Sequence, residues 1–252
     1  MTASFRARVL AREPLLGCFA TWPTEGVLEL LSLADFDFVV LDTEHGYFNP
    51  ESVERMVRAA EGAELPIVVR VPSCSASSDS GRAIDAGACG VLFPRADGVA
   101  AVRAAVESVK YAPVGKRGLA GVRANRYGGV PFDRWVLEAN DGSTVSVQIE
   151  TAGALNAVAE IASETWVDLL FVGPNDLSQA LGVPGHYDDP RYRTAVEKVG
   201  GTAREHHKAA GIMLRSPDEI PALRGLGYSV FTTSDRSLVS QSARTWRSAL
   251  AS

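Results

Sequence analysis

Polar and charged side chains follow several apolar runs of the sequence, at the point where each run ends. This holds for Asp42, His45, Arg70, Glu150 and Asp176. Carboxylates bind cations, an imidazole carries protons near neutral pH, and a guanidinium binds anions. The set therefore contains the groups that acid–base chemistry at a metal-bound substrate requires.

Glu150 and Asp176 are the candidate metal ligands. Glu150 ends an apolar run and has no basic neighbour in the sequence, and an isolated buried carboxylate is unfavourable. Ligation by two carboxylates, completed by water and substrate, suits Mg²⁺, Mn²⁺ or Co²⁺. Two structural alternatives stay open at this point. Asp176 could cap the helix that DLSQAL predicts, and Glu150 could form a salt bridge.

His45 is the candidate proton carrier, and Asp42 the group that would hold its ring in one tautomer. The alternative is an ordinary loop histidine. Arg70 ends a run of Val and Ile, and its guanidinium could fork onto a carboxylate or an enolate. The alternative for Arg70 is a structural ion pair with an acid on a neighbouring strand.

Further polar groups are expected at the same edge. Gln148 ends the same apolar run as Glu150. The segment Gly173-Pro174-Asn175 precedes a predicted helix, and free backbone N–H groups there could bind a small carboxylate. Pro174 itself has no N–H to donate.

Eight short apolar runs alternate with helical stretches. Most are continuous rather than alternating, which is typical of parallel strands buried on both faces. They are LLGCFA (15–20), FDFVVLD (36–42), PIVVRV (66–71), CGVLFP (89–94), VSVQIE (145–150), DLLFVG (168–173), GIML (211–214) and YSVFTT (228–233). The pattern predicts an α/β fold, a (β/α)8 TIM barrel forming one domain over residues 1–252, with its active site at the C-terminal strand ends.

The intervening segments predict helices at 24–34, 50–62, 96–110, 152–163, 190–209, 217–226 and 235–250. Residues 1–12 predict an extra N-terminal helix. Residues 112–142 are Gly-rich and read as a long irregular segment of the functional or partner-contacting kind. The alternative fold, an open doubly wound sheet, is disfavoured because no GxGxxG motif follows a strand.

Composition excludes several classes of protein. The net charge is -5 and no basic run is present, which argues against binding to nucleic acid or to a membrane surface. No apolar segment reaches membrane length, and the N-terminus lacks the apolar stretch of a signal peptide. The 3 cysteines form no CxxC pair, as expected in a reducing compartment. A cytoplasmic protein is the prediction.

Six stretches of the chain resemble the HpcH/HpaI aldolases, which are class II aldolases acting on 4-hydroxy-2-oxoheptanedioate and 2-keto-3-deoxy-sugar acids. They occur in the expected order and span essentially the whole chain. The most specific are DTEHG and VGPNDLS. The stretches are FDFVVLDTEHG (36–46), PIVVRVP (66–72), IDAGACGVLFPRAD (84–97), YAPVGKRG (111–118), VQIET (147–151) and VDLLFVGPNDLSQALG (167–182).

The resemblance implies roles for the residues at these positions. It implies that Glu150 and Asp176 hold the metal, that His45 held by Asp42 handles the proton, and that Arg70 stabilises the pyruvate enolate. It places the pyruvate carboxylate near the backbone of Asn175. It also implies that Asp85 reaches a neighbouring subunit's site, in a homo-oligomer such as a hexamer or trimer with swapped C-terminal helices.

Three features depart from the family pattern. Phe19 stands where relatives often have a Trp that lines the pocket, so the ring is kept and the N–H donor is lost. Asn175 replaces the usual small residue, and its side chain could crowd or hydrogen-bond the substrate. The segment 117–130, which helps to shape the aldehyde pocket, is short.

The predicted reaction is the reversible cleavage of a 2-keto-4-hydroxy acid into pyruvate and an aldehyde, with both small molecules as partners. No lysine lies at an expected strand end, which argues against a Schiff-base aldolase. Oxaloacetate decarboxylation or acyl-CoA cleavage would use the same groups. A non-catalytic binding barrel is the remaining hypothesis, and the presence of the expected side chains argues against it.

Overall fold

The computed structural model describes residues 3–75 and 77–250. Eight parallel strands, each paired with the next, close into a barrel from β1 to β8, and this confirms the predicted (β/α)8 fold. The strands are β1 (Leu15–Ala20), β2 (Phe38–Asp42), β3 (Ile67–Arg70), β4 (Gly90–Phe93), β5 (Thr144–Gln148), β6 (Leu169–Val172), β7 (Ala209–Met213) and β8 (Val230–Ser234).

Helices surround the barrel. They are α1 (Phe5–Leu10), α2 (Glu25–Leu33), α3 (Pro50–Gly62), α4 (Ser77–Ala86), α5 (Val99–Val109), α6 (Phe132–Gly142), α7 (Ala152–Asn156), α8 (Val158–Ser163), α9 (Pro174–Ala180), α10 (Pro190–Glu205), α11 (Ile220–Gly225) and α12 (Asp235–Ser248). Short 3₁₀ helices span Arg123–Asn125 and Pro217–Glu219.

The sequence pattern did not predict helices α4 and α6. The sequence of α4, SSDSGRAIDA, is mostly small or polar, so no apolar stretch marks it as a helix. Helix α6 begins after the Gly-rich part of the segment 112–142, so only the first part of that segment is irregular. The predicted helix 152–163 is divided at Ala157, which ends α7 and precedes α8.

The apolar core has two parts. One lies between the strands and the outer helices. The other fills the barrel itself, and α1 belongs to it because Phe5 and Val9 are buried there. The ring centroids of Phe5 and Phe38 lie 5.0 Å apart. The extra N-terminal helix therefore covers one end of the barrel, the end at which the strands begin.

That covered end contains a buried group of charges and aromatic rings, here called the basal cluster (Arg6, Lys110, Trp166 and Asp168). The opposite end, where the strands terminate, is here called the catalytic rim. All eight strands run parallel, so their C-terminal residues meet at this rim. Within residues 3–75 and 77–250, no helix is both long and apolar enough to cross a bilayer.

Candidate active site

Arg70 is a buried cation of the catalytic rim that is paired with two carboxylates. It is 8% exposed, and in the barrel register it lies directly beside Asp42 on the neighbouring strand. Its Nε donates to Asp42 Oδ1 at 2.9 Å and its Nη2 to Oδ2 at 2.7 Å, and its Nη1 lies 3.2 Å from Glu44 Oε2. A guanidinium has five N–H groups, so three contacts leave two for a ligand. The charge is also stacked 5.0 Å from the ring centroid of Phe19.

This pairing corrects the role that the sequence predicts for Asp42. The Asp42 carboxylate accepts hydrogen bonds from Arg70 and from the backbone N–H groups of Glu44 and His45, both at 3.1 Å, and not from the imidazole. The carboxylate beside the ring is that of Glu44, 3.8 Å from His45 Nε2. The physical reason is the register, which sets the Arg70 fork against both Asp42 oxygens. His45 itself is well exposed, with 59% of its side chain accessible.

Glu150 is a buried carboxylate with an excess of acidic neighbours. Its two oxygens accept hydrogen bonds of 2.8 Å from the Arg95 backbone N–H and from Gln148 Nε2. The pKa of Glu150 is raised to about 7, chiefly by burial and also by the charges of Asp176 and Glu44, against the lowering effect of the Arg95 hydrogen bond and of the Arg70 charge. The carboxylate is thus poised to exchange its proton for another cation.

Gly173 provides the space for this carboxylate. A Cβ atom at this position would lie 2.1 Å from Glu150 Oε2 and 2.9 Å from Gln148 Nε2. Any side chain would therefore displace Glu150. The glycine also directly follows β6 and is the N-cap of α9, whose first residue is the buried Pro174. The close approach of Gly173 therefore places the start of α9, which carries Asp176, next to Glu150.

Asp176 lies in the first turn of α9, with 40% of its side chain exposed. Its Oδ1 is 3.9 Å from Arg95 Nη1, and the charge of Asp176 acts on Glu150. The preceding residue, Asn175, was expected to touch substrate. In the structure its Oδ1 accepts a hydrogen bond from the Tyr187 hydroxyl.

The oxygen atoms at this point fit a hard divalent cation. Glu150 and Asp176 supply carboxylates, and Gln148 Oε1 is a buried acceptor with no hydrogen-bond partner. In the part of the chain that the structure describes, no three His, Cys, Asp or Glu side chains form a metal-binding group. An ion here would therefore have two protein carboxylates and several open positions for water and substrate, as Mg²⁺ and Mn²⁺ sites often have.

Two more of the predicted site residues contribute differently. Phe19 is buried, with its ring centroid 5.9 Å from that of Phe171, so it forms the floor below Arg70. Asp85 is close to the end of α4, which runs antiparallel to the strands, and it pairs with Arg117 far from the catalytic rim of its own chain. A contribution of Asp85 to a neighbouring subunit's site stays a prediction.

Sequence reasoning did not assign a role to Glu44 or Arg95. Both occur in the motifs that carry the resemblance, DTEHG and VLFPRAD, and both follow a strand. Inspecting every charged residue after the end of each strand would have identified them. Their partners, Arg70 and Glu150, lie on other strands, so only the folded chain reveals the contacts.

Comparison with known proteins agrees with this geometry. The family model described as HpcH/HpaI aldolase/citrate lyase matches residues 15–231. A hydroxypyruvate/pyruvate aldolase of Sagittula stellata is 36% identical over 193 residues, which are 76% of this chain and 75% of that protein. A 5-keto-4-deoxy-D-glucarate aldolase of an Enterobacter species is 34% identical over 225 residues, 89% of this chain and 86% of the relative.

A solved structure supports the same assignment. An HpcH/HpaI aldolase/citrate lyase family protein from Burkholderia cenocepacia superposes with a TM-score of 0.92 at 32% identity, and the match covers 100% of both chains. Members of the family generally depend on a divalent metal ion. The chain thus belongs to the HpcH/HpaI aldolase/citrate lyase family, and it is an aldolase, a carbon–carbon lyase.

Proposed function

We propose that this aldolase reversibly cleaves a 2-keto-4-hydroxy acid into pyruvate and an aldehyde, with a divalent cation held by Glu150 and Asp176. The observation that carries the proposal is the buried Glu150 carboxylate, whose pKa is raised to about 7 beside Asp176 and close to Arg70. Two named relatives act on pyruvate or on a keto sugar acid, in agreement with this substrate class.

The cation would polarise the 2-keto group as a Lewis acid. Cleavage begins when His45, directly or through a water, takes the proton of the 4-hydroxyl group. The C3–C4 bond then breaks, the aldehyde leaves, and the electron pair moves toward the 2-oxo oxygen. The free N–H groups of Arg70 stabilise the negative charge that develops there, often the largest catalytic contribution. Protonation at C3 completes pyruvate.

The other residues hold these groups in place. Asp42 and Glu44 fix the Arg70 guanidinium through three contacts, and Glu44 is also the carboxylate next to the His45 ring. Gln148 Nε2 donates to one Glu150 oxygen, while the buried Gln148 Oε1 has no hydrogen-bond partner among the described residues. The backbone at Gly173, Pro174 and Asn175, at the start of α9, lies where a pyruvate carboxylate would meet a helix N-terminus.

Metal removal tests the proposal. Protein treated with a chelator should release no pyruvate from a 2-keto-4-hydroxy acid, and Mn²⁺, Mg²⁺ or Co²⁺ should restore the activity. Glu150→Gln should bind Mn²⁺ much more weakly in a calorimetric titration and lose activity. Glu160→Gln, which changes an exposed glutamate on α8, should behave as wild type. Full activity in chelator contradicts the metal role.

The same groups could act on related substrates. Oxaloacetate decarboxylation also forms the pyruvate enolate, so Arg70 would serve both reactions. Release of CO2 from oxaloacetate should be compared with pyruvate release from keto acids at equal enzyme concentration. A faster decarboxylation, with no aldehyde product from any keto acid, would replace the proposed function.

We also propose a homo-oligomer, as the family resemblance implies. Of the described residues of α12, only Asp235 is buried, while Val239 and Trp246 are 59% and 78% exposed. A second copy would cover this helix and would bring Asp85 to another site. Light scattering on purified protein should give a mass of three or six chains. A fully active monomer would contradict both the homo-oligomer and the contribution of Asp85 to a neighbouring subunit's site.

A further inference from the structure

Arg95, in the loop after β4, has an unusual backbone. Its φ is +49°, a left-handed value that residues other than glycine rarely adopt. Its backbone N–H donates to Glu150 Oε1 at 2.8 Å. Strained residues of this kind persist where the surrounding structure holds them, and they are concentrated at functional sites.

The loop around Arg95 is held firmly against the end of β5. Thr151 Oγ1 donates to Asp97 Oδ1 at 2.8 Å. Gly153 approaches the same carboxylate so closely that a Cβ atom would lie 1.9 Å from Asp97 Oδ1. Two contacts therefore hold this loop beside Glu150. One is the Arg95 backbone N–H to Glu150, and the other is Asp97 to Thr151.

The Arg95 guanidinium, in contrast to its backbone, has almost no partner. Its side chain is 66% exposed, and the nearest carboxylate oxygen, of Asp176, is 3.9 Å away, beyond hydrogen-bond distance. Across residues 3–75 and 77–250, none of its side-chain N–H groups makes a hydrogen bond. Arg70 on the same rim has three close contacts with carboxylates.

Two other arginines near the strand ends are already occupied. Arg215, two residues after β7, pairs with Glu219 and stacks 4.5 Å from the Tyr187 ring centroid. Arg236 donates to the His45 carbonyl at 3.3 Å and lies near two aromatic rings. Arg95 is therefore the arginine of this group whose guanidinium makes no hydrogen bond within residues 3–75 and 77–250.

We propose that Arg95 determines specificity by binding an anionic group, a carboxylate or a phosphate, on the aldehyde half of the substrate. The inference rests on the proposed function. Arg70 serves the pyruvate half, and a divalent cation bound by Asp176 would weaken the hold of that carboxylate on Arg95. The freed guanidinium has the planar fork that matches carboxylate and phosphate oxygens. The substrates are 2-keto-4-hydroxy acids with a second negative group beyond C4.

Matched aldehydes test this assignment in the direction of aldol addition to pyruvate. Glyoxylate and glycolaldehyde are similar in size and differ in charge, and glyceraldehyde 3-phosphate and glyceraldehyde form a second pair. Arg95→Gln should lower kcat/KM for the anionic aldehydes about 10- to 100-fold, mostly through KM, as for a lost charge-assisted hydrogen bond. For the neutral aldehydes the change should stay within about threefold, since no charge is recognised. A loss of kcat/KM for glyoxylate alone identifies the bound group as a carboxylate. A loss for glyceraldehyde 3-phosphate alone identifies it as a phosphate.

Two controls distinguish recognition from a structural effect. Arg103→Gln changes an arginine that is equally exposed, at 65%, and that pairs with Glu164 on the outside of the barrel. It should leave all four kcat/KM values unchanged. Arg95→Lys should recover part of the preference for anionic aldehydes.

Binding of Mn²⁺ to metal-free protein provides a readout that does not depend on turnover. Arg95→Gln should bind Mn²⁺ as tightly as wild type or more tightly, because a nearby positive charge is removed. Weaker Mn²⁺ binding, or equal losses for anionic and neutral aldehydes, would overturn the inference and leave the aldolase function intact. Wild-type protein that adds pyruvate to none of the aldehydes would overturn the proposed function and this inference together.

Discussion

Both ends of the barrel bury charged groups, but the two ends differ in how completely those groups are paired. In the basal cluster, Arg6 Nε donates to both oxygens of Asp168 at 3.1 Å, and Lys110 Nζ donates to three oxygens of Asn140 and Ser143 at 2.6 to 3.0 Å. Each buried charge there is satisfied within the chain. A charge satisfied in this way holds the fold together and has nothing left for a ligand.

At the catalytic rim the charges do not balance. Around Glu150, the four carboxylates of Asp42, Glu44, Glu150 and Asp176 lie near the guanidinium groups of Arg70 and Arg95, and Arg70 is shared by two of the four. Burial raises the pKa of Glu150 to about 7 and also raises that of Glu44. The comparison teaches that an acidic surplus around a buried carboxylate, more than burial itself, separates a cation site from a structural ion pair.

The largest expected effect concerns stability at the basal cluster. Asp168→Asn leaves the buried Arg6 without its carboxylate, so we expect unfolding to require about 3 kcal/mol less free energy. Urea denaturation followed by circular dichroism measures this loss. The kcat of the protein that remains folded should be that of wild type. A variant as stable as wild type, or an inactive folded variant, would break the distinction between the two ends.

The next effect concerns activity at the catalytic rim. Arg70→Lys keeps the positive charge but loses the planar guanidinium. In the wild type, that guanidinium binds both Asp42 oxygens and still has N–H groups free for substrate. We expect kcat to fall about 100-fold, as for a lost electrostatic stabiliser. Steady-state pyruvate release provides the measurement, and Arg103→Lys on the outer surface is the control. Unchanged turnover would remove Arg70 from the mechanism.

A third effect is the pH dependence of metal binding. The pKa of Glu150 in the metal-free protein is raised to about 7, so below that pH a proton must leave before a cation binds. We expect the Kd for Mn²⁺ to rise about tenfold for each pH unit below 7, and to be nearly constant above it. Calorimetric titrations between about pH 5.5 and about pH 8 test this slope of about one log unit per pH unit. A flat profile would mean that Glu150 is not a ligand.

The same shift has a consequence for stability, with a definite sign. A carboxyl group whose folded pKa lies above its unfolded value binds more protons in the folded state, so its contribution is present at low pH and is lost as the pH rises through about 7. Glu150→Gln should therefore match or exceed metal-free wild type in stability at pH 8. The exposed Glu160→Gln should show no such gain.

The smallest effect is the opposite titration in the basal cluster. Burial lowers the pKa of Lys110 to about 8. Between about 8 and its ordinary value the unfolded chain binds more protons, so the contribution of Lys110 to stability rises with pH, by at most about 1.4 kcal/mol per pH unit. Denaturation of wild type and Lys110→Met at pH 7 and pH 9, chosen about one unit either side of that pKa, measures the difference. If the free energy of unfolding of wild type, relative to that of Lys110→Met, falls between the two pH values, the result contradicts the assignment.

Much of the architecture could be predicted because the signals are local. Continuous apolar runs such as FVVLD are buried on both faces, and their alternation with helices is a property of the chain order. Helix α4 was missed because its ten residues are mostly small or polar, although Ala83, Ile84 and Ala86 are buried in the core. The first strand, by contrast, was predicted with its observed bounds, Leu15–Ala20.

The site residues divide in the same way. The rule that active sites lie at the C-terminal strand ends selects Arg70, Glu150 and Asp176 from the sequence, since each position follows from the strand that carries it. The contacts among them do not follow, because they join different strands. That Asp42 binds the Arg70 guanidinium and not the His45 ring depends on a register that no local pattern specifies.

By itself, then, the sequence determined the fold class, the family and the rim on which the chemistry lies, because strand order and strand ends are encoded by neighbours in the chain. Only the tertiary structure decided which charges are neutralised and which remain available. The balance of charge around Glu150 and the free guanidinium of Arg95 arise from closing the barrel, which sets residues 55 positions apart within a hydrogen bond of each other.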